Sequence, residues 1–316
     1  GPKVIIGVRS SLFLPIQNLG IMIVDEEHDQ SFKQDDRCPY HARDLAIKRA
    51  QLLNIPVVMG SATPSLETYK TFKESGDYFP LKSRVGAGKL PEIKLLDMRD
   101  KKRVPAETWP FHEESLRLIR EAFDKGEQVL VFINKLGYAN YLQCRHCGHR
   151  FECPNCHTNL RVHKHRKQVQ CHICDYKDRL PDICPACGNM NLLHQGFGTE
   201  KICEILRHLF PEKNIERFDR DEITTPTKLE EALGKFHKGD IDIFVGTQML
   251  SKGHNFEKVN LVLILGVDSQ LNFPDFRANE RVYQTLTQVS GRAGRFGGQS
   301  EVVVQTLGPE NDIFKY

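Results

Sequence analysis

Eight of the ten cysteines in this 316-residue chain fall between Cys144 and Cys187, as four Cys-x-x-Cys pairs: Cys144/Cys147, Cys153/Cys156, Cys171/Cys174 and Cys184/Cys187. Each pair presents two thiolates from one tight knuckle, and two knuckles complete a tetrahedral sulfur set that Zn2+ accepts without strain. Eight thiols therefore predict two zinc ions. Three pairings of the knuckles are open. The spacing favours nesting, because Cys153/Cys156 and Cys171/Cys174 enclose 14 residues, close to a common zinc-ribbon length. Cys144, Cys147, Cys184 and Cys187 then meet at the base of the segment. An interleaved cross-brace is the alternative. Disulfides compete for the same thiols, but no export signal opens the chain, and a reducing cytosol disfavours them. Cys38 and Cys203 read as structurally incidental.

Around this segment the sequence reads as α/β. Strands are expected at Lys3 to Val8, Gly20 to Val24 and Pro56 to Met59, with a helix from about His41 to Leu53. Short apolar strands separated by helical stretches argue for a parallel sheet covered on both faces. From about Tyr78 to Glu107 the chain is rich in Lys, Arg, Gly and Pro, with one strand-like piece at Ile93 to Asp97, and reads as a connector. A second α/β series starts with a helix at Glu113 to Lys125 and a strand at Gln128 to Asn134. It resumes near Gly196 with a helix through Phe210, then strands at Ile215 to Phe218, Ile241 to Gly246, Leu261 to Val267 and Glu301 to Thr306. The expected domains are 1–80, the later part of a first lobe; 81–110, a connector; 111–142 with 191–316, a second lobe; and 143–190, the cysteine insertion.

Charge and hydropathy exclude little. Forty-four basic and 41 acidic residues give a net charge of +3, which neither demands nor forbids a polyanionic partner, since clustering decides that. No apolar run approaches the roughly 18 residues of a membrane span. The expectation is a cytoplasmic protein without a membrane partner. The stretch Arg161 to Lys167 is basic enough to meet phosphates, although such a run at a hairpin tip can equally be solvated.

Four strand-end motifs carry the chemistry. The Ile21 to Val24 strand delivers Asp25 and Glu26 to the carboxyl edge of a parallel sheet, where ligands bind. That arrangement suits Asp25 to hold Mg2+ through water and Glu26 to orient and deprotonate an attacking water. Gly60-Ser-Ala-Thr-Pro places Ser61 and Thr63 where their hydroxyls can reach the Asp25-Glu-Glu-His28 carboxylates and register nucleotide state; a capped turn starting a helix at Thr63 or Ser65 is the simpler use. Gly246-Thr-Gln-Met-Leu-Ser-Lys-Gly-His254 offers Thr247, Ser251, Lys252, Gly253 and backbone amides to nucleic-acid phosphates. Gln288-Val-Ser-Gly-Arg-Ala-Gly-Arg295 ends a helical stretch with Arg292 and Arg295, spaced to reach a γ-phosphate as arginine fingers do.

In this order the four motifs resemble motifs II, III, V and VI of superfamily 2 helicases. More narrowly, the chain resembles the primosomal protein N′ family of replication-restart helicases. Gly7 to Phe13, Tyr40 to Asp44, Asn134 to Tyr138, the eight cysteines, Gly196 to Glu200 and Pro274 to Ala278 carry that likeness. The resemblance implies two RecA-like lobes, the first one partial, with a two-zinc ribbon inserted in the second. It implies an ATP-driven 3′→5′ DNA helicase that recognises stalled forks and reloads the replicative helicase, using Asp25, Glu26, His28, Gln288, Arg292 and Arg295. Implied partners are branched and single-stranded DNA, single-stranded DNA-binding protein and other primosome proteins. By the same likeness the zinc pairing is nested, the insertion acts at the duplex junction, and Phe32 and Tyr40 lie in a loop that senses single-stranded DNA. ATP and Mg2+ would be cofactors of the intact protein. No Gly-x-x-x-x-Gly-Lys-Ser/Thr loop occurs in the 316 residues. The phosphate loop is therefore expected outside this chain, which alone would not hydrolyse ATP. A catalytically silent zinc-dependent DNA- or protein-binding module is the competing reading.

Overall fold

The computed structural model describes residues 3–81, 91–134, 141–163, 166–193, 197–219, 221–247, 249–250, 256, 258–273, 275–291 and 300–315. The chain divides into two compact units, Gly1–Lys82 and Ser83–Tyr316.

In the first unit, β1 (Met22–Val24) pairs in parallel with β4 (Val57–Met59). Between them lie a short hairpin of β2 (Lys33–Gln34) and β3 (Tyr40–His41), then the helix α1 (Ala42–Leu53). Helix α1 buries Ala42, Ala46 and Ala50 at i, i+4 spacing and stops at Asn54 in a left-handed conformation. Helix α2 (Leu66–Ser75) follows β4, with Ser65 capping it by accepting from the Thr68 amide. The strand expected over Lys3 to Val8 does not form. That segment is irregular, with Val4 86% and Ile6 93% exposed, and leads into a 3-10 turn at Arg9–Phe13. A β-branched run becomes a strand only beside a partner, and among the described residues no strand pairs with it. The segment is tied down through its surroundings instead: Arg9 donates to the Lys33 carbonyl at 2.6 Å and Arg49 to the Leu14 carbonyl at 2.8 Å.

The second unit is built on β5 (Glu92–Asp97), β6 (Gln128–Ile133), β12 (Ile215–Phe218), β13 (Ile243–Gly246), β14 (Val259–Leu265) and β15 (Glu301–Thr306). They form one parallel sheet in the order β12-β13-β6-β14-β15-β5. The residues read as connector thus supply an edge strand, β5, in register with β15 over six residue pairs. Helices α3 (Glu113–Asp124) and α4 (Thr199–Leu209) cover one face through Leu116, Ile119, Ile202 and Leu206. Helices α5 (Pro226–Lys238), α6 (Val267–Leu271) and α7 (Ala278–Ser290) cover the other through Phe236, Val267, Val282 and Leu286. All six residues of β6 are buried, as a strand covered on both faces requires. Gly246 ends β13 because any Cβ there would sit 2.4 Å from the Phe218 carbonyl oxygen on β12. The strand expected to run to Val267 ends at Leu265, and Gly266, at φ 72°, turns the chain into α6. No helix among the described residues is long and apolar enough to cross a membrane.

The cysteine segment leaves the sheet after β6 and returns before α4. Its base is closed by β7 (Gln143–Cys144) against β11 (Leu192–Leu193), antiparallel. Its body is an antiparallel sheet of β8 (Arg161–His163), β9 (Gln168–Gln170) and β10 (Lys177–Arg179). Val162, Val169, Leu142, Phe151 and Leu160 form a small core of its own. The insertion packs on the second lobe through polar contacts: Asn272 donates to Gln143 Oε1 and Asn159 donates to the Asn272 carbonyl, both at 3.0 Å. The Arg145 guanidinium lies 3.7 Å from the Trp109 ring centroid.

Candidate functional site

The eight knuckle cysteines gather into two sets, Cys144, Cys147, Cys184 and Cys187, and Cys153, Cys156, Cys171 and Cys174, each with its sulfurs within 4.8 Å of one another. The nested arrangement is the one found. Cys144 and Cys187 sulfurs are 3.7 Å apart, Cys147 and Cys184 3.7 Å, and Cys153 and Cys174 3.6 Å. Tetrahedral zinc with Zn–S near 2.3 Å puts its sulfurs about 3.8 Å apart, whereas a disulfide needs about 2.05 Å. The distances fit a metal and exclude a bond.

The four knuckles share a turn. In each, the residue after the second cysteine has positive φ: Gly148 75°, His157 55°, Asp175 58° and Gly188 70°. The first cysteine's amide closes the turn by donating to the carbonyl five residues on, as in Cys144 to His149 and Cys184 to Asn189. Backbone amides then point at sulfur: His146 N–H donates to Cys144 Sγ at 3.3 Å and Ile173 N–H to Cys171 Sγ at 3.4 Å. Burial opposes ionisation of Cys171, but the Cys174 amide and the Thr158 hydroxyl outweigh it and bring the thiol down to about 6. Burial, aided by neighbouring thiols, pushes Cys147 up to about 12. Four clustered thiols cannot all ionise alone, and a dication resolves that conflict. Gly148 also sets the docking of the outer site, since a Cβ there would meet the Leu307 carbonyl oxygen at 2.4 Å.

The body sheet of the insertion is two-faced. Val162 and Val169 point into its core. The alternate positions form two cross-strand rows on the other face, Arg161–Gln170–Lys177 and His163–Gln168–Arg179. Arg161, His163, Arg166, Lys177 and Arg179 are exposed. Two carboxylates approach this face: Asp182 lies 3.6 Å from Arg179, and Asp175 accepts from Gln170. Lys164 and His165, from the basic stretch noted in the sequence, lie outside the described residues.

In the first unit, the end of β1 and the end of β4 are joined by backbone hydrogen bonds, Gly60 N–H to the Val24 carbonyl at 2.8 Å and Glu27 N–H to the Gly60 carbonyl at 3.1 Å. Asp25 and Glu26 are exposed at this edge, and Glu26 adopts φ 49°. His28 Nδ1 lies 2.6 Å from Ser61 Oγ and 3.6 Å from Glu26 Oε2, and Thr63 Oγ1 lies 3.4 Å from His28 Nε2. Ser61 and Thr63 therefore meet the histidine of the Asp-Glu-Glu-His segment. The carboxylate held by hydroxyls is Glu27, which accepts from Thr68 Oγ1 at 2.9 Å and Ser65 Oγ at 3.3 Å, besides the Ser65 amide at 2.7 Å and Arg43 at 3.1 Å. Glu27 and Arg43 were missed in the sequence. The left-handed turn at Glu26 is what sends the third acidic position inward.

Phe32 is half-buried, and the Tyr40 ring packs edge-on against Phe13 with centroids 5.2 Å apart. Thr247 is half-buried just after β13, its carbonyl accepting from the Leu250 amide. Gln288 is half-buried in the last turn of α7. Ser251, Lys252, Gly253, Arg292 and Arg295 lie outside the described residues.

Residues 195–297 match the helicase conserved C-terminal domain. Over 98% of its length the chain is similar to replication restart protein PriA of three bacteria: 39% identical to that of Bacillus subtilis, 43% to that of Chlamydia pneumoniae and 42% to that of Haemophilus influenzae. It covers 38%, 42% and 42% of those proteins, so it spans about two fifths of the relatives it matches. With the two four-cysteine sets in the second lobe and the helicase domain match around them, the chain belongs to the PriA family of replication restart proteins, within the superfamily 2 helicases.

Proposed function

We propose that this chain supplies the acidic strand end of the first motor lobe, the whole second lobe and the zinc insertion of an ATP-dependent DNA helicase that restarts replication. In this reading Asp25 holds Mg2+ through water and Glu26 orients and deprotonates the attacking water. Bound ATP supplies the phosphoryl group whose hydrolysis drives movement. His28, in contact with Ser61 and Thr63, passes the state of that site to the loop after β4. Arg292 and Arg295 meet the γ-phosphate, Gln288 positions them, and Thr247, Ser251, Lys252 and Gly253 hold DNA phosphates. Phe32 and Tyr40 meet unpaired bases. Translocation runs 3′→5′, on branched and single-stranded DNA, with single-stranded DNA-binding protein and primosome proteins as partners.

The observation that supports this reading most is the contact of His28 with both Ser61 and Thr63 directly beside Asp25 and Glu26. A nucleotide-sensing site needs its acidic and hydroxyl loops joined, and a plain capped turn at Ser65 needs no such histidine. The test is DNA-stimulated ATP hydrolysis by this chain joined to a segment carrying a phosphate loop. Glu26→Gln and Arg295→Ala should each abolish it; activity that survives either change overturns the assignment of that residue.

The separate small core of the insertion favours a second reading for the chain taken alone, a zinc-dependent DNA-binding module without hydrolysis. DNA binding by this chain with no ATP turnover, and turnover only after joining, separates that role from the motor role.

A further inference from the structure

The turn between α6 and α7 carries a side chain that the metal sites and the strand-end motifs leave unused. Phe276 is 92% exposed. Its backbone is nevertheless held firmly: the Asp275 amide donates to the Phe273 carbonyl at 2.8 Å, and the Ala278 amide to the Asp275 carbonyl at 2.9 Å. The Asp275 carboxylate accepts from the Arg277 amide at 2.9 Å and pairs with Arg281 at 2.8 Å. A ring at the tip of a fixed turn cannot fold back to hide its surface.

Its surroundings are charged. The Arg277 guanidinium stands 5.2 Å from the Phe276 ring centroid and pairs with Glu280 at 3.1 Å. The neighbouring ring, Phe273, has Arg161 of the zinc insertion at 6.0 Å. Asn159, two residues before Arg161, donates to the Asn272 carbonyl at the start of the turn. The turn therefore abuts the strand that opens the basic rows Arg161–Gln170–Lys177 and His163–Gln168–Arg179.

An apolar protein partner would need apolar surface around the ring to bury with it. Single-stranded nucleic acid needs what is here: a flat π-face for a base, with guanidinium groups close by for the backbone. Resting on the helicase reading above, we propose that Phe276 stacks an unpaired base of single-stranded DNA, with the strand's phosphates running along the basic rows of the insertion.

The test is fluorescence anisotropy of the zinc-loaded full chain with a labelled oligothymidylate, and with the same strand carrying tetrahydrofuran abasic spacers. Phe276→Ala should weaken binding to the thymidine strand about tenfold or more, as lost base stacking does. Phe276→Tyr should restore it, and the abasic strand should bind parent and Phe276→Ala alike. Equal binding of the thymidine strand by parent and Phe276→Ala overturns the stacking role while leaving the helicase reading intact, and is also the result if the ring serves a protein. Failure of the parent to bind any strand counts against both. Unchanged zinc content and circular dichroism confirm that this exposed substitution leaves the fold in place.

Discussion

Arg43 Nη1 lies 3.1 Å from Glu27 Oε2, and the Glu27 side chain is 1% exposed. The pair ties α1 to the end of β1, and Ser65 and Thr68 add the start of α2 to the same carboxylate. Removing one partner of a buried ion pair leaves the other charged and desolvated, at about 3–5 kcal/mol when fully buried. Arg43 retains 12% exposure, so Glu27→Ala should cost about 2–4 kcal/mol. Glu27→Gln, which still accepts from the Ser65 amide, should cost less. Urea unfolding followed by a probe in the first unit measures both, and an unmoved midpoint for Glu27→Ala would remove the network from the account.

Elemental analysis should return about two zinc ions per chain, as two complete tetrahedral sets imply. The nested pairing makes a sharper prediction. Cys153→Ser with Cys171→Ser strikes one set twice, because both belong to the inner group. That double variant should keep about one zinc, whereas an interleaved brace would lose both. A value near zero for the double variant rejects the nesting.

The legible parts of this fold were those in which one physical demand dominates. Strands β6, β13 and β14 are continuous apolar runs because both faces are covered, and the knuckles show themselves because metal geometry fixes their spacing. The strand-like piece at Ile93 to Asp97 is β5, but its place in the second sheet was hidden because an edge strand buries little: of Glu92–Asp97 only Leu96 is buried, so the segment reads like the charged connector around it. Lys3 to Val8 misled for the converse reason, having strand composition with no partner strand among the described residues. Within Asp25-Glu-Glu-His28, composition cannot say which carboxylate turns inward. The positive φ at Glu26 decides that, and nothing in a run of acidic residues announces it. The positive φ after each knuckle was readable at Gly148 and Gly188 but not at His157 and Asp175.

If the basic rows of the insertion meet DNA phosphates, their charge should appear in the salt dependence of binding. Each neutralised phosphate contributes about 0.7 to the slope of log K against log salt on a single strand. Arg161→Gln with Lys177→Gln should therefore flatten the slope by about 1.4 and weaken binding to all sequences alike. Both side chains are exposed on the sheet face opposite Val162 and Val169, so zinc content should not change. An unaltered slope would show that the rows are merely solvated.

The edge strand β5 should come loose in acid through one carboxylate. Glu114, on α3, accepts from Arg117 at 2.7 and 2.9 Å and from Lys94, on β5, at 2.6 Å. The Arg117 guanidinium, with the Lys94 ammonium, holds the Glu114 carboxyl down from 4.5 to about 2. The native state thus keeps Glu114 ionised where the unfolded chain would already be protonated. The stability it brings is full above about pH 4.5 and is lost as pH falls through about 2. Arg117 and Lys94 are 52% and 46% exposed, so solvent screens the pair and the contribution should be about 1 kcal/mol. Glu114→Gln should lower the unfolding free energy by that amount at neutral pH, and the gap from the parent should close as pH approaches 2. Zinc loss in acid destabilises both chains equally and drops out of the difference. Hydrogen exchange should place the change at the amides of β5, because Lys94 carries the ion pair from this strand to α3, beside the apolar packing of Leu96. A gap that persists undiminished at the lowest pH would mean that packing, not charge, accounts for the loss.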